Sequence, residues 1–96
     1  MSRARSVVAG VLLANAVPHG VHGVTGQAFP TPFADPPGIG LSSPALNVLW
    51  SALNLVGAGV ALRGARVRPL ALIVGAAAMA SFLAAYFGPT SPRRRG

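Results

Sequence analysis

The sequence has no cysteine, no lysine and no glutamate, and its single acidic residue is Asp35. Without cysteine there are no disulfides, no thiolate metal ligands and no cysteine nucleophile. Ser51 and Ser81 have no carboxylate in their runs to orient a histidine, so serine hydrolase chemistry is not supported. We therefore predict that the protein is not an enzyme, with no catalytic residues and no cofactor.

The charge that is present consists of arginine, and it lies at the ends of three uncharged runs. The runs are Ser6–Phe29, Pro44–Leu62 and Leu70–Phe87, and the eight arginines are Arg3, Arg5, Arg63, Arg66, Arg68 and Arg93–Arg95. The second and third runs would form helices of roughly 27–29 Å, close to the thickness of a bilayer core. Because backbone polar groups in lipid must be satisfied within the segment, the runs predict helices. We expect an all-α membrane protein with three transmembrane helices in a small bundle.

The boundaries follow from turn and capping residues. We predict a single membrane domain over residues 1–96, with helices at 6–29, 44–62 and 70–87, an irregular loop at 30–43, a basic turn at 63–69 and a disordered tail at 89–96. Ser43 and Pro44 form a helix-start signal, and Gly64 a stop signal. Helix one is expected to kink near Pro18, which lacks a backbone N–H.

A secretory signal peptide is an alternative interpretation of the first run. Arg3 and Arg5 form a basic start, Val7–Val17 an apolar stretch, and Ala14-Asn15-Ala16 a small-x-small cleavage site. Asn15 interrupts that stretch, and the uncharged run continues far beyond it. We favour a retained helix.

The arginine distribution predicts the orientation and the partners. With a cytoplasmic amino terminus, five arginines lie inside and three outside, which the positive-inside rule favours. We expect three full spans with the Arg93–Arg95 tail external, and the alternative is a third helix that does not fully cross the membrane. The net charge of +7 then indicates lipid contacts, and no nucleic acid partner is expected.

A stripe of polar residues interrupts the uncharged runs. Asn15, His19, His22 and Gly26 share one face of helix one, and Asn47, Ser51, Asn54 and Ala58 repeat that spacing in helix two. Helix three offers a small-residue face at Ala77, Ser81, Ala84 and Gly88. We expect the three faces to turn inward, because polar groups exposed to lipid cost free energy. Counting from Phe29 and Pro44 places His22 level with Ser51, and His19 level with Asn54.

Three functions fit this pattern. The first is a non-enzymatic packing or partner-binding membrane component, in which the stripe supplies interhelical hydrogen bonds and the protein associates with itself or a partner. The second is a binding site for a quinone, lipid or metal at Asn15, His19, His22, Asn47, Ser51 and Asn54, beneath six aromatic residues. His19 and His22 are weak metal candidates because no carboxylate completes a ligand set. The third is a transporter subunit.

The segments Asn15–Gly23 (NAVPHGVHG) and Leu46–Asn54 (LNVLWSALN) resemble short uncharacterised bacterial multi-pass membrane proteins. Those proteins carry an Asn-x-x-Pro-His segment in the first helix. The chain more loosely resembles the DoxX-type membrane proteins, which have four helices where three are predicted here. The resemblance, together with a composition rich in arginine, alanine, glycine and proline, implies a protein of a bacterial inner membrane and no particular activity.

Overall fold

The fold is a bundle of three helices with one short pair of strands. A computed structural model describes residues 2–88, with α1 at Ser2–Val24, β1 at Phe29–Pro30, β2 at Leu41–Ser42, α2 at Pro44–Leu62 and α3 at Pro69–Phe87. All three helices are long and apolar enough to cross a membrane. The predicted all-α class with three such helices is confirmed. The predicted disordered tail at 89–96 lies outside the described residues.

Helix α1 lies between the other two helices. It packs against α2 on one side and against α3 on the other. Helices α1 and α3 approach each other closely at two glycines. A Cβ atom at Gly10 would overlap the carbonyl oxygen of Leu72, and one at Gly75 would overlap that of Val7. Glycine is therefore what allows the two backbones to touch.

The interior of the bundle is small and polar, whereas its exterior is large and apolar. The buried apolar residues of the described chain are Ala9, Ala16 and Ala58. Buried polar residues outnumber them and include His19 and Asn47. Large aliphatic side chains such as Leu53, Val56 and Leu70 are more than half exposed. This distribution suits a protein whose helices face hydrocarbon, and an exposed apolar surface of this extent is unusual for a soluble monomer.

The ends of α2 match the prediction. Ser43 is the N-cap, and its Oγ accepts a hydrogen bond from the Leu46 N–H at 3.2 Å. Pro44 is the first helical residue, and Gly64 follows the helix with a φ of 67°. Pro69 opens α3, one residue before the predicted start at Leu70.

The prediction for the end of helix one is wrong. Helix α1 begins at Ser2 and ends at Val24, whereas the prediction was 6–29. Gly26 adopts a φ of 75°, its N–H donates to the Gly23 carbonyl at 3.2 Å, and the Gln27 N–H donates to the His22 carbonyl at 2.8 Å. These bonds form a Schellman motif, which terminates a helix at a left-handed glycine. Gly26 is thus outside the helix and cannot belong to its polar face.

The loop is more ordered than expected. Within the predicted irregular segment 30–43, the antiparallel pair of β1 and β2 joins Phe29 to Ser42 and Pro30 to Leu41. The hydroxyls of Thr31 and Ser42 are hydrogen bonded at 2.6 Å and buried. The loop therefore folds as a cap over one end of the bundle, which we call the loop end.

The small-residue face predicted for helix three is also wrong. Ala77, Ser81 and Ala84 are exposed, whereas Gly75 is the buried residue of α3. Residues 75 and 77 lie about 200° apart around a helix, so the predicted face points away from α1. The close backbone approach at Gly75 and Gly10 accounts for the side of α3 that packs, because a side chain at either position would overlap the other helix.

Candidate functional site

Polar residues of α1 and α2 meet in a line of hydrogen bonds, which we call the polar seam: Asn15, His19, Asn47, Ser51 and Asn54. The Asn15 amide donates to Asn54 Oδ1 at 3.0 Å. Ser51 Oγ donates to the Ala16 carbonyl at 2.8 Å, and His19 Nδ1 lies 2.8 Å from Asn47 Oδ1. The prediction that the stripes of helices one and two face each other is confirmed.

The register of the seam differs from the prediction by about one helical turn. Asn54 was expected level with His19, and it instead pairs with Asn15. Ser51 was expected level with His22, and it lies against Ala16. The cause is the early end of α1 at Val24, because the depths in helix one were counted from Phe29.

Asn47 is the centre of the seam at the loop end. Its side chain is fully buried, and its Nδ2 lies within 3.0–3.2 Å of the carbonyl oxygens of Phe29, Ser42 and Ser43. The Nδ2 group therefore donates to the β1 and β2 backbone, while Oδ1 faces His19. One amide thus ties α1, α2 and both strands together.

His22 does not join the seam. Its Nδ1 donates to the Pro18 carbonyl at 2.7 Å, one turn earlier in α1. Its ring stacks on Phe29, with centroids 3.9 Å apart. His22 therefore attaches the loop to α1, and of the six predicted site residues it is the one for which the structure shows no hydrogen bond between α1 and α2.

The described residues contain no group of three or more histidine, cysteine, aspartate or glutamate side chains placed to hold a metal ion. His19 and His22 each use Nδ1 for a hydrogen bond within the protein. Asp35 is exposed in the loop. A metal at His19 and His22 would have two imidazoles and no anionic ligand from residues 2–88, so the donor set fits a metal poorly.

All six aromatic residues belong to one network of ring contacts at the loop end. Phe29 contacts His19 at 5.4 Å and Phe87 at 4.7 Å between centroids, and Trp50 contacts His19 at 6.3 Å and Phe33 at 5.7 Å. Tyr86 continues the network to the remaining rings of α3. These distances are typical of favourable aromatic pairs.

A cleft of about 400 Å³ opens within this network, between α2 and α3. Asn15 and His19 of α1 line it on the side that we call its floor, and residues of the loop line it at the loop end. The remaining lining residues are apolar or aromatic side chains of α2 and α3 and residues of the loop: Trp50, Met79, Phe82, Leu83, Tyr86, Phe87, Pro30, Thr31, Pro32, Pro37 and Gly38. Tyr86 fixes the loop over the cleft by donating to the Gly38 carbonyl at 2.9 Å.

The indole nitrogen of Trp50 is a buried donor without an acceptor among residues 2–88. Such groups are rare in folded proteins, because an unpaired buried N–H costs free energy. Trp50, Met79 and Leu83 line the cleft but are not among the six site residues predicted from the sequence. The available signal was the i, i+4 spacing of Met79 and Leu83, which places them on one face of α3.

The opposite end of the bundle, which we call the turn end, holds the basic turn. The Arg5 guanidinium donates to the carbonyl of Arg63 at 2.9 Å and more weakly to that of Val60. Ser6 is buried, and its Oγ accepts a hydrogen bond from the Arg68 N–H at 2.9 Å. The amino end of α1 therefore lies beside the turn, so both are on the same side of the bundle.

The fold and the cleft together define an all-helical protein with three helices suited to cross a membrane and a small cleft at one end. Comparison of the chain with protein-family models, with curated proteins and with solved structures gave no match. The resemblance to short bacterial multi-pass proteins and to DoxX-type proteins therefore stays a prediction.

Proposed function

We propose that this chain is a non-enzymatic protein of a bacterial inner membrane that binds a small amphipathic molecule in the aromatic cleft. Of the functions predicted from the sequence, this is the one that the geometry supports best. The observation that carries it is the cleft itself, in which an apolar, aromatic wall surrounds a floor made of Asn15 and His19. Concave apolar sites with a few polar groups are typical of small-molecule binding.

The source of such a molecule is the bilayer. Large apolar side chains cover the exterior of α2 and α3, so lipid is expected to surround the two helices that flank the cleft. An amphipathic molecule dissolved in that lipid can reach the cleft without crossing water. The arginine counts favour a cytoplasmic turn end, which places the cleft toward the external side.

The proposal predicts that lipid-soluble molecules copurify with the protein. Native membranes would be solubilised directly into nanodiscs, and the affinity-purified protein would be extracted with organic solvent for mass spectrometry. The test variant is Met79→Phe/Leu83→Phe, which places two bulky rings in the cleft. The matched control is Ile73→Phe/Ala77→Phe, which places the same rings on the exposed face of α3.

We expect a species enriched above the bulk lipid in the wild type and the control, and depleted in the cleft variant. Equal extracts from all three proteins, when circular dichroism shows all three folded, would contradict ligand binding. The same samples, analysed for metals and for a visible spectrum, test the metal alternative.

A second candidate is the packing or partner-binding component, and the polar seam favours it. Asn47, Ser51 and Asn54 all direct their polar atoms to groups within the chain. Interhelical hydrogen bonds of this kind stabilise membrane helix pairs by about 0.6–2 kcal/mol each. Crosslinking in native membranes tests whether the protein associates with itself or with a partner. The transporter-subunit hypothesis stays a prediction.

A further inference from the structure

We propose that the cleft selects an uncharged molecule that carries a hydroxyl group on an apolar, ring-sized body. This inference rests on the proposed binding function and adds the chemical class of the ligand. It follows from the hydrogen-bond network behind the cleft, which determines the polar atom that each floor residue can offer.

The hydrogen bond with Asn47 fixes which ring nitrogen of His19 carries the proton. Because Asn47 Nδ2 lies against three carbonyl oxygens, it must be the donor side of that amide, and Oδ1 is left as an acceptor. His19 Nδ1 is 2.8 Å from that Oδ1 and must carry the proton. In a neutral imidazole the other nitrogen then holds the lone pair. His19 Nε2 is therefore the ring atom available to a ligand, and it is an acceptor.

The hydrogen bond with Asn54 fixes the orientation of the Asn15 amide in the same way. The Asn54 Nδ2 donates to the Trp50 carbonyl at 2.8 Å, so its Oδ1 is the acceptor that receives the Asn15 Nδ2 at 3.0 Å. This arrangement leaves Asn15 Oδ1 as an acceptor, beside the second hydrogen of the same amide's Nδ2. The floor thus offers two acceptors, His19 Nε2 and Asn15 Oδ1, which a ligand can satisfy only by bringing a donor.

Trp50 adds a donor that needs an acceptor from the ligand. Its side chain lines the cleft, and its Nε1–H is buried and has no acceptor among residues 2–88. A ligand oxygen placed beside it by a small rotation of the indole would satisfy this donor. A hydroxyl group both donates and accepts, so it meets the needs of the floor and of the wall with one functional group.

The other residues that line the cleft determine the charge and the size of the ligand. None of the cleft-lining residues carries a formal charge, and an unpaired ion in such a site would be costly. Met79, Phe82 and Leu83 provide the apolar side, and the volume of about 400 Å³ suits a single ring with a short chain. Phenols, hydroquinones and hydroxylated lipids share this chemistry.

The test compares two probes that differ in whether the oxygen on the ring carries a hydrogen or a methyl group. 4-Heptylphenol would be titrated into the protein in nanodiscs, with 4-heptylanisole as the methyl-ether control and 4-heptylbenzoate as the anionic control. Trp50 is the only tryptophan, so its fluorescence, excited beyond the absorption of the probes, reports binding at the cleft. Partition into protein-free nanodiscs is measured separately and subtracted.

We expect saturable binding of the phenol about tenfold tighter than that of the anisole, because the ether leaves the floor acceptors unpaired. The benzoate should bind more weakly than either. In His19→Phe, which keeps a ring and removes Nε2, the ratio of phenol to anisole affinity should fall toward one. If that variant does not fold, Asn15→Leu tests the second acceptor in the same way.

The outcomes separate the two proposals. Saturable binding of the phenol and the anisole with equal affinity in the wild type would keep the binding function and overturn the hydroxyl selectivity. Tighter binding of the benzoate would also overturn the inference. No saturable binding of any probe, with no enriched species in the copurification experiment, would overturn both. Equal response in Met79→Phe/Leu83→Phe and in its exposed control would show that the probes do not occupy the cleft.

Discussion

At the scale of single residues, Asn47 contributes most to the arrangement of the site. Its side chain bonds α1 through His19 and the loop through the backbone of Phe29 and Ser42. A buried amide that is fully paired stabilises a fold, whereas the removal of one partner leaves other buried groups unpaired. The position of His19 in the cleft therefore depends on a residue that lies outside the cleft.

Asn47→Ala should destabilise the protein by about 2 kcal/mol, because it leaves His19 Nδ1 and loop carbonyls without their partner. The matched control is Leu49→Ala, on the exposed side of the same helix, which should change the unfolding free energy far less. The measurement is reversible unfolding in mixed micelles with an increasing fraction of denaturing detergent. Equal effects of the two substitutions would show that the Asn47 network contributes little.

At the scale of helices and loops, the sequence correctly predicted three helices. The predicted first and last residues of α2 are also those of the structure. The uncharged runs and the Ser43-Pro44 signal carry that information locally. The predicted end of α1 is wrong, although Thr25-Gly26-Gln27 contains a glycine stop signal. The error arises because the predicted helix extends to the end of the uncharged run at Phe29. The register error in the seam is a consequence of that miss.

The packing face of α3 and the cleft could not be predicted in the same way. Alanine and glycine occur on several sides of α3, so small residues alone do not identify its contact side. The contact side depends on where Gly75 of α3 meets the backbone of α1, which is a property of the pair. The cleft depends in turn on that choice, because it brings Met79 and Leu83 over Asn15.

Gly75→Ala should destabilise the bundle by about 1–3 kcal/mol, because the added methyl group would overlap the Val7 backbone. Gly59→Ala is the control, since a Cβ there meets no atom within 4 Å, and it should be neutral or slightly stabilising through better helix propensity. Thermal unfolding in detergent, followed by circular dichroism, compares the two. A cost at Gly59 as large as that at Gly75 would contradict the close α1–α3 contact.

Arg5→Gln should lower the stability of the α2 end by about 0.5–1 kcal/mol, because Arg5 donates to one carbonyl in the last turn of that helix and to the carbonyl of its C-cap residue. Arg3→Gln, which removes the same charge two residues away, should cost less. Hydrogen exchange of the amides in residues 58–65 measures the effect locally. If exchange were faster to the same degree in both variants, the loss of positive charge would explain the effect and the Arg5 hydrogen bonds would not.

At the scale of the whole molecule, the two ends of the bundle differ in chemistry. The turn end holds arginines and the amino end of α1, whereas the loop end holds the aromatic network, the cleft and Asp35. The longest dimension of the protein is 41 Å, close to the roughly 40–45 Å of a bilayer with its head groups. A bundle of this length can place its two ends at opposite surfaces of a membrane.

In the proposed orientation, with a cytoplasmic amino end and three spans, a reporter fused after Gly96 should be active on the external side of the membrane. The paired reporter, inserted in the turn between Ala65 and Arg66, should be active in the cytoplasm. Alkaline phosphatase and green fluorescent protein fusions distinguish the two sides. A cytoplasmic signal from the fusion after Gly96 would contradict the predicted orientation.

In the proposed binding site, the polar seam holds His19 with Nδ1 protonated and offers Nε2 to a hydroxyl in the cleft. The most direct measurement is the ¹⁵N spectrum of histidine-labelled protein in nanodiscs, with the two histidines assigned through His22→Gln. We predict a protonated Nδ1 and an unprotonated Nε2 for His19, with Nε2 shifting on addition of 4-heptylphenol and not of 4-heptylanisole. A proton on Nε2 in the free protein, or an Nε2 that responds to neither probe, would contradict the account.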